Sequence, residues 1–472
     1  MKILLTGATG YIGKRLLPIL IAQGHDVICC VRDKNRFYYP KEFQNKVEII
    51  EVDFLKEETL SKIPDTTDAA YYLMHSMSSS SDNYDELEST SATNFVNRIN
   101  NTNAKQVIYL TGIVNDNTLS KHLLSRKNVE NILGTGRFAL TALRAGIIVG
   151  SGSASFEIIR DLVDKLPIMI TPKWLNTRCQ PIAITDVLEF LSKSLLNPAT
   201  YNQNFDIGGP DILTYKEMLL AFAKAKNLKR WIFTVPVMTP KLSSYWLYFV
   251  TSTSYKLATA LVSSMKVEVV CRDNRINELL NIKPMSYGQA LSKALIKIDE
   301  DKVASSWKDS LVSGRFTNNI SQYLDIPTKN CFIDHRKKEI INRDFTIQRI
   351  WSIGGETGWY YGDWLWSFRG FIDKLSGGVG SRRGRTNKHE IHSGDALDFW
   401  RVLYANKEEG KLILYAEMKL PGQAWLEFKI INNFLYQSAT FQPRGILGKL
   451  YWYSVWPFHG FIFNGMLNKL IQ

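Results

Sequence analysis

Short apolar runs alternate with polar, helically periodic stretches through the first half of the chain. Lys2–Leu5, Val27–Val31, Val47–Val52, Ala69–Leu73, Val107–Leu110 and Ala139–Leu143 have the length and composition of buried strands. Between them, Tyr11–Ala22 places Ile12, Leu16 and Leu20 on one helical face, and Leu87–Asn100 and Ser125–Leu133 read as polar helices. Repeated strand–helix units predict an α/β fold: a doubly wound parallel sheet of Rossmann type with helices on both faces.

Residues 155–300 are more helical and predict a helical substrate lobe, with Ile158–Leu166, Asp186–Leu196 and Tyr215–Ala225 as its helices. Leu242–Met265 carries only one charge, Lys256, and suits either a membrane-lying helix or a helical hairpin rich in Ser and Thr. The last third changes character. Nine of the 12 tryptophans lie beyond residue 300, and alternation in Lys411–Lys419 and Gln423–Ile430 predicts antiparallel strands. We therefore place a second, α+β domain over 325–472 after a first domain over 1–310, with the boundary near Ser310–Ile326. Leu450–Asn468 has no charged side chain, yet Pro457, His459, Asn464 and two glycines interrupt it and seven of its residues are aromatic. Aromatics of this kind favour an interface or a protein interior over lipid tails, so a buried or membrane-surface helix is expected rather than a spanning one.

Hydrophobic residues make up 45% of the 472 and charged residues 22%, which excludes a disordered, collagenous or coiled-coil chain. The net charge is +13; residues 301–472 hold 23 basic and 16 acidic residues, net +7, so the shorter piece is the more basic. Most of this charge reads as a solvated surface, with an anionic partner as the alternative: a phosphorylated ligand, a membrane surface or a nucleic acid. Arg382-Arg383-Gly384-Arg385 with Lys388 forms a basic knot, but nucleic-acid binding wants a longer stripe with interleaved aromatics, so no nucleic acid is expected. Five cysteines without C-x-x-C spacing fit neither a disulfide framework nor a zinc ribbon and point to a reducing compartment. His389-Glu390-Ile391-His392 is not H-E-x-x-H, and no metal site is expected. The apolar run at Met1–Leu5 is too short for a signal peptide's core of ~7–15 residues. The expected location is cytoplasmic, with peripheral association at the membrane left open.

Gly7-Ala8-Thr9-Gly10-Tyr11-Ile12-Gly13 is G-x-x-G-x-x-G between a strand and a helix. In that setting glycines permit a tight turn and close approach to a pyrophosphate, which the helix N-terminus then faces. The end of the second strand reads Val31-Arg32-Asp33-Lys34. Arg32 suits a 2′-phosphate, so NADP(H) is favoured; Asp33 leaves NAD(H) open. Asp53-Phe54 follows the third strand, as an adenine contact or, for Asp53, a helix N-cap. His75 follows the fourth strand, as a dinucleotide contact or a surface histidine. The N–H groups and hydroxyls of Gly150–Ser155 line the nicotinamide or substrate side or form a flexible N-cap. Trp174, Arg178 and Gln180 are either substrate contacts or structural.

These residues resemble the short-chain dehydrogenase/reductase superfamily in its atypical and extended, NmrA-like branch. Thr6–Gly13, Gln180–Val187 and Phe205–Pro210 carry the likeness, over about residues 1–300. Gly358–Tyr361 and Gly380–Arg385 resemble the DUF2867 domain, which implies a START-like helix-grip pocket. The first domain is more distantly similar to the 39 kDa NADPH-binding accessory subunit of respiratory complex I. Catalytic members of the superfamily use Ser or Thr with Tyr-x-x-x-Lys. Here the resemblance puts Thr111 at the Ser/Thr position and His122 and Arg126 in the Tyr and Lys slots. It implies an NADP(H)-dependent oxidoreductase for a small hydrophobic, carbonyl or quinone-like substrate. The altered slot keeps open a non-catalytic NADPH-binding sensor or membrane-complex assembly factor, and a lipid carrier is a third reading. The oligomeric state is not legible.

Overall fold

The computed structural model describes residues 1–74, 84–114, 121–235, 240–251, 255–300, 305–307, 320–380, 385, 387 and 389–472. Two compact units emerge: Met1–Lys34 with Tyr39–Trp307, and Asn35–Tyr38 with Lys308–Gln472.

The first unit opens with β1 (Lys2–Leu5), α1 (Tyr11–Ala22), β2 (Asp26–Val31), β3 (Val47–Glu51) and β4 (Ala69–Tyr72). It continues with α2 (Tyr84–Ile99), β5 (Gln106–Gly112), α3 (Lys121–Leu133) and β6 (Ala139–Ala145). Then come β7 (Ile148–Val149), α4 (Ala154–Lys165), β8 (Ile168–Pro172), β9 (Arg178–Cys179), β10 (Ile182–Ala183), α5 (Ile184–Lys193) and β11 (Gln203–Ile207). The rest is β12 (Leu213–Thr214), α6 (Tyr215–Ala225), β13 (Trp231–Val235), α7 (Pro240–Val250), α8 (Tyr255–Ser264), α9 (Arg275–Leu279) and α10 (Tyr287–Asp299).

Seven strands form one parallel sheet in the order β11-β6-β5-β4-β1-β2-β3, the doubly wound arrangement the alternation predicts. Both faces are covered, which is why its strands are apolar without alternation. Leu4, Ile28, Cys30, Tyr72 and Val107 pack against Phe95 and Ile99 of α2 and Val129 and Leu133 of α3. On the other face Tyr71 donates from its hydroxyl to the Leu191 carbonyl of α5 (3.0 Å). Leu16, Leu17 and Leu20 of α1 are buried; each such side chain stabilises the fold by about 1.5–3 kcal/mol.

The helical lobe has its own core, built from Phe156, Val163, Met218, Phe222 and Leu291. Helices α6 and α10 begin at full capping boxes, Thr214 with Glu217 and Ser286 with Gln289. Leu242–Met265 resolves as the pair α7 and α8, with Leu247, Tyr248, Ala258 and Val262 in the lobe core. The hairpin reading holds there, because those apolar positions are already covered by protein.

The second unit comprises β14 (Phe332–Glu339), α11 (Arg343–Ile350), α12 (Asp363–Leu375), β15 (Ala396–Leu397), β16 (Trp400–Asn406), β17 (Lys411–Ala416), β18 (Gly422–Ile431), β19 (Phe434–Pro443) and α13 (Gly445–Ile471). Its six strands pair antiparallel in the order β14-β19-β18-β17-β16-β15. Trp351, Trp359, Phe399, Leu412, Leu426 and Phe428 fill the core, with Phe463, Met466 and Leu470 of α13. Arg401 and Glu417 form an ion pair inside this unit (3.2 Å). All five cysteines are free thiols, and Cys29, Cys30 and Cys179 are buried. Among the described residues, no group of His, Cys, Asp and Glu could hold a metal. No helix there is long and apolar enough to cross a membrane.

Candidate functional site

The parallel sheet reverses its strand order between β1 and β4, and the glycine loop leaves β1 at that point. Thr6 fastens the two strand ends together. Its hydroxyl donates to the Tyr71 carbonyl (2.9 Å) and accepts from the Leu73 N–H (3.0 Å). Gly7 follows with φ of +65°, and a Cβ there would lie 2.5 Å from the Leu73 carbonyl oxygen. A Cβ on Gly13 would lie 2.3 Å from the Gly7 oxygen. Both positions therefore demand glycine, one for conformation and contact, the other for contact alone. The turn closes with Gly10 N–H donating to the Gly7 carbonyl (2.8 Å).

Helix α1 then starts at Gly10 with no side-chain cap and no acid in its first turn. Its first N–H groups and positive dipole end are left for an external anion, which is what a pyrophosphate needs. Thr9, Gly10, Tyr11 and Ile12 sit half-buried along this rim. Arg15 lies 4.7 Å over the Tyr11 ring. It is tied to Ser305 Oγ (3.0 Å) and the Ser151 carbonyl (2.8 Å). Burial pushes the Tyr11 hydroxyl up to about 12, with Arg15 pulling the other way.

At the end of β2 the two candidate selectors separate. Arg32 is exposed and makes no hydrogen bond or ion pair with any described residue. Asp33 is buried and already engaged. Asp53 Oδ1 accepts from the Leu55 N–H (3.2 Å), an Asx turn rather than a helix N-cap, and its other oxygen makes no bond to a described residue. Phe54 is buried in the core against Phe95. His75 lies outside the described residues.

On the opposite side, Thr111 is buried at the end of β5. The Arg126 guanidinium reaches alongside Gly112, the next residue, so the structure brings the Thr111 strand end and Arg126 together. His122 lies one turn earlier on α3, with its side chain outside the described part. Two residues escaped the sequence reading. Glu88 is buried on α2 and accepts from Ser125 Oγ (2.6 Å), one residue before Arg126. Tyr109 is buried two residues before Thr111; burial raises its hydroxyl to about 12, while nearby Arg126 lowers it. Glu88 was detectable in principle, since it continues the Ala92, Phe95 and Ile99 stripe as a carboxylate on an apolar face.

The remaining candidates have structural work. Ser153 caps α4, accepting from the Phe156 N–H (3.3 Å). Arg178 pairs with Glu268 at the surface (2.9 Å). Gln180 is buried, donates to the Gly209 carbonyl (2.6 Å) and accepts from the Cys271 N–H (2.9 Å). Trp174 packs against the lobe core. The basic knot at 382–384 and Lys388 lies outside the described residues.

Residues 7–149 match the NAD(P)H-binding family, and residues 328–466 match DUF2867, a family of unknown function. No curated protein matches the chain. A nucleoside-diphosphate-sugar epimerase from Staphylococcus aureus superposes with a TM-score of 0.50 at 17% identity, covering 62% of this chain and 99% of its own. A UDP-glucose 4-epimerase from Thermotoga maritima gives 0.50 at 13%, over 64% and 99%. The Bordetella bronchiseptica enzyme WbmG with NAD gives 0.50 at 13%, over 65% and 96%. At these identities the superpositions establish the fold; the match at 7–149 establishes a nicotinamide dinucleotide as the cofactor class.

Proposed function

We propose that this chain, an atypical short-chain dehydrogenase/reductase domain joined to a DUF2867 domain, is an NADP(H)-preferring oxidoreductase. The observation that carries the preference is the split at the end of β2. Arg32 is exposed and uncommitted to any described residue, whereas Asp33 is buried. A guanidinium suits a 2′-phosphate; a ribose 2′-hydroxyl would want a carboxylate free to reach it.

In this reading the loop Gly7–Gly13 and the α1 N-terminus hold the pyrophosphate, Arg32 holds the 2′-phosphate, and Asp53 reaches the adenine amino group. The bound nicotinamide supplies the hydride chemistry. Thr111 orients the reacting oxygen of a lipophilic carbonyl or quinone-like substrate, and Arg126 places positive charge beside it. His122, one turn earlier, carries the proton.

The test is a nicotinamide fluorescence titration with NADPH and NADH. A charge-assisted contact contributes about 1.5–3 kcal/mol, so Arg32→Ala should weaken NADPH roughly 10- to 150-fold and leave NADH within about threefold. Equal affinity for the two cofactors in the wild type, or equal losses in the variant, would overturn the assignment.

A second reading rests on the absent Tyr-x-x-x-Lys and on the buried Tyr109, whose raised hydroxyl is a poor proton donor near neutral pH. The chain would then bind NADPH without turnover, as a sensor or a membrane-complex assembly factor. NADPH oxidation against a quinone and enone panel separates the two, with His122→Ala as the variant expected to lose turnover and keep binding.

A further inference from the structure

Helix α12 is turned inside out. Trp364, Phe368, Phe371, Ile372 and Leu375 recur at helical spacing on one face, and all are exposed, Trp364 by 67% and Leu375 by 59%. The opposite face, with Gly370, Asp373 and Lys374, is the buried one. Asp373 is satisfied there: Oδ1 accepts from the Lys419 N–H (2.6 Å) and Oδ2 from the Gly380 N–H (2.8 Å). A surface helix of a globular domain ordinarily buries its apolar stripe and shows its polar one.

Helix α13 runs beside it with a second exposed apolar row. Trp452, Phe463, Met466 and Leu470 face the domain, while Ile446, Leu447, Leu450, Tyr453, Trp456 and Phe461 are exposed. The helices adjoin at two points. The Tyr361 ring, just before α12, lies 4.9 Å from Phe461, and the Arg369 guanidinium lies 5.9 Å from the Tyr451 ring. Exposed apolar surface gathered on this scale marks an interaction site.

We propose that α12 and the first two-thirds of α13 form a docking face for an anionic bilayer surface. The chemistry of the rim selects this occupant. Exposed Arg444 and Lys449 flank the α13 row, and exposed Lys419 adjoins α12. Asp363 is the one exposed acid on the two helices. Trp364, Tyr453 and Trp456 combine an apolar body with a polar edge, the side chains that settle at headgroup depth. A helix that is too polar to span and apolar on its outer side lies in the plane of the interface. A second copy of this chain is disfavoured, because a two-fold contact would press the same cationic rim against itself.

The experiment uses the full chain with sucrose-loaded vesicles of phosphatidylcholine alone or with 30 mol % phosphatidylglycerol as an order-of-magnitude physiological mixture, about 30% anionic. Wild type should sediment with the anionic vesicles. Phe368→Ser with Phe371→Ser should lower that binding at least about tenfold. Arg444→Glu with Lys449→Glu should abolish the preference for anionic vesicles. Because the substituted side chains are exposed, an unchanged melting temperature and unchanged NADPH affinity identify a folded variant. NADPH affinity also reads the cofactor assignment separately, so either proposal can fail alone. Wild type left in the supernatant with both vesicles would overturn docking. So would a wild-type dimer in light scattering that the phenylalanine variant converts to monomer, since a second copy would then be the occupant.

Discussion

Replacing Glu417 by Gln removes one charge from a pair that the second unit encloses. Arg401 is 0% exposed and Glu417 2%. The Arg401 Nη2 lies 3.2 Å from Glu417 Oε2, and its Nη1 donates to the Gly394 carbonyl (2.8 Å). Glutamine preserves the shape and one acceptor, but removes the carboxylate charge that faces the guanidinium. Breaking a buried pair on one side costs about 3–5 kcal/mol, and the retained acceptor puts this change near 3. For a unit of this size, each kcal/mol moves Tm by about 2–4 °C, so the expected drop is about 6–12 °C. Tryptophan emission is the assay, because eight of the 12 tryptophans lie in residues 308–472. The double change Arg401→Met with Glu417→Leu fills the space with apolar atoms and should recover most of the loss. A drop under 2 °C for Glu417→Gln (within about 1 kcal/mol) would show that the pair carries little ionic energy. A double variant no better than the single one would show that packing, not charge, is at stake.

Gly7→Ala should cost about 1–2 kcal/mol from the left-handed backbone alone, with more from the Cβ that meets the Leu73 carbonyl, and should abolish NADPH binding in the same fluorescence titration. Burial raises the Asp186 carboxyl, with Glu189 adding to the shift and the Met285 N–H and Lys293 opposing it. A raised folded value means that its contribution is fully present below the unfolded carboxylate range, about 3.9, and is lost as pH rises through the folded value. Asp186→Asn, which keeps an acceptor for the Met285 N–H, should therefore melt like wild type in acid and gain on it toward pH 7, measured as Tm against pH.

The glycine loop was legible because its spacing encodes backbone contacts: Gly7 against Leu73 and Gly13 against Gly7. The parallel sheet was legible because strands covered on both faces read as unbroken apolar runs. Arg32 and Asp33 were ambiguous as neighbours; which of them is buried depends on the surrounding chain, not on the pair itself. Asp53 looked like a helix cap because Asx turns and N-caps use the same side-chain oxygen. Tyr109 read simply as strand, and its place beside Arg126 arises only when α3 packs on β5. Helix α12 was not legible as a presented face, because an apolar stripe is the same string whether buried or exposed.

Arg15 and Ser305 are 290 positions apart, yet the buried guanidinium beside the dinucleotide loop depends on Ser305 Oγ and its carbonyl. The Trp307 N–H adds a bond to the Gly152 carbonyl (2.8 Å). The loop thus leaves the ribosome 290 positions ahead of the residue that completes its surroundings. At about 5–20 residues per second, roughly 15–60 s of synthesis separate the arginine from Ser305. Over that interval Arg15 has only the Ser151 carbonyl among its three buried acceptors, so the contacts that hold it beside the loop are complete only when Ser305 arrives.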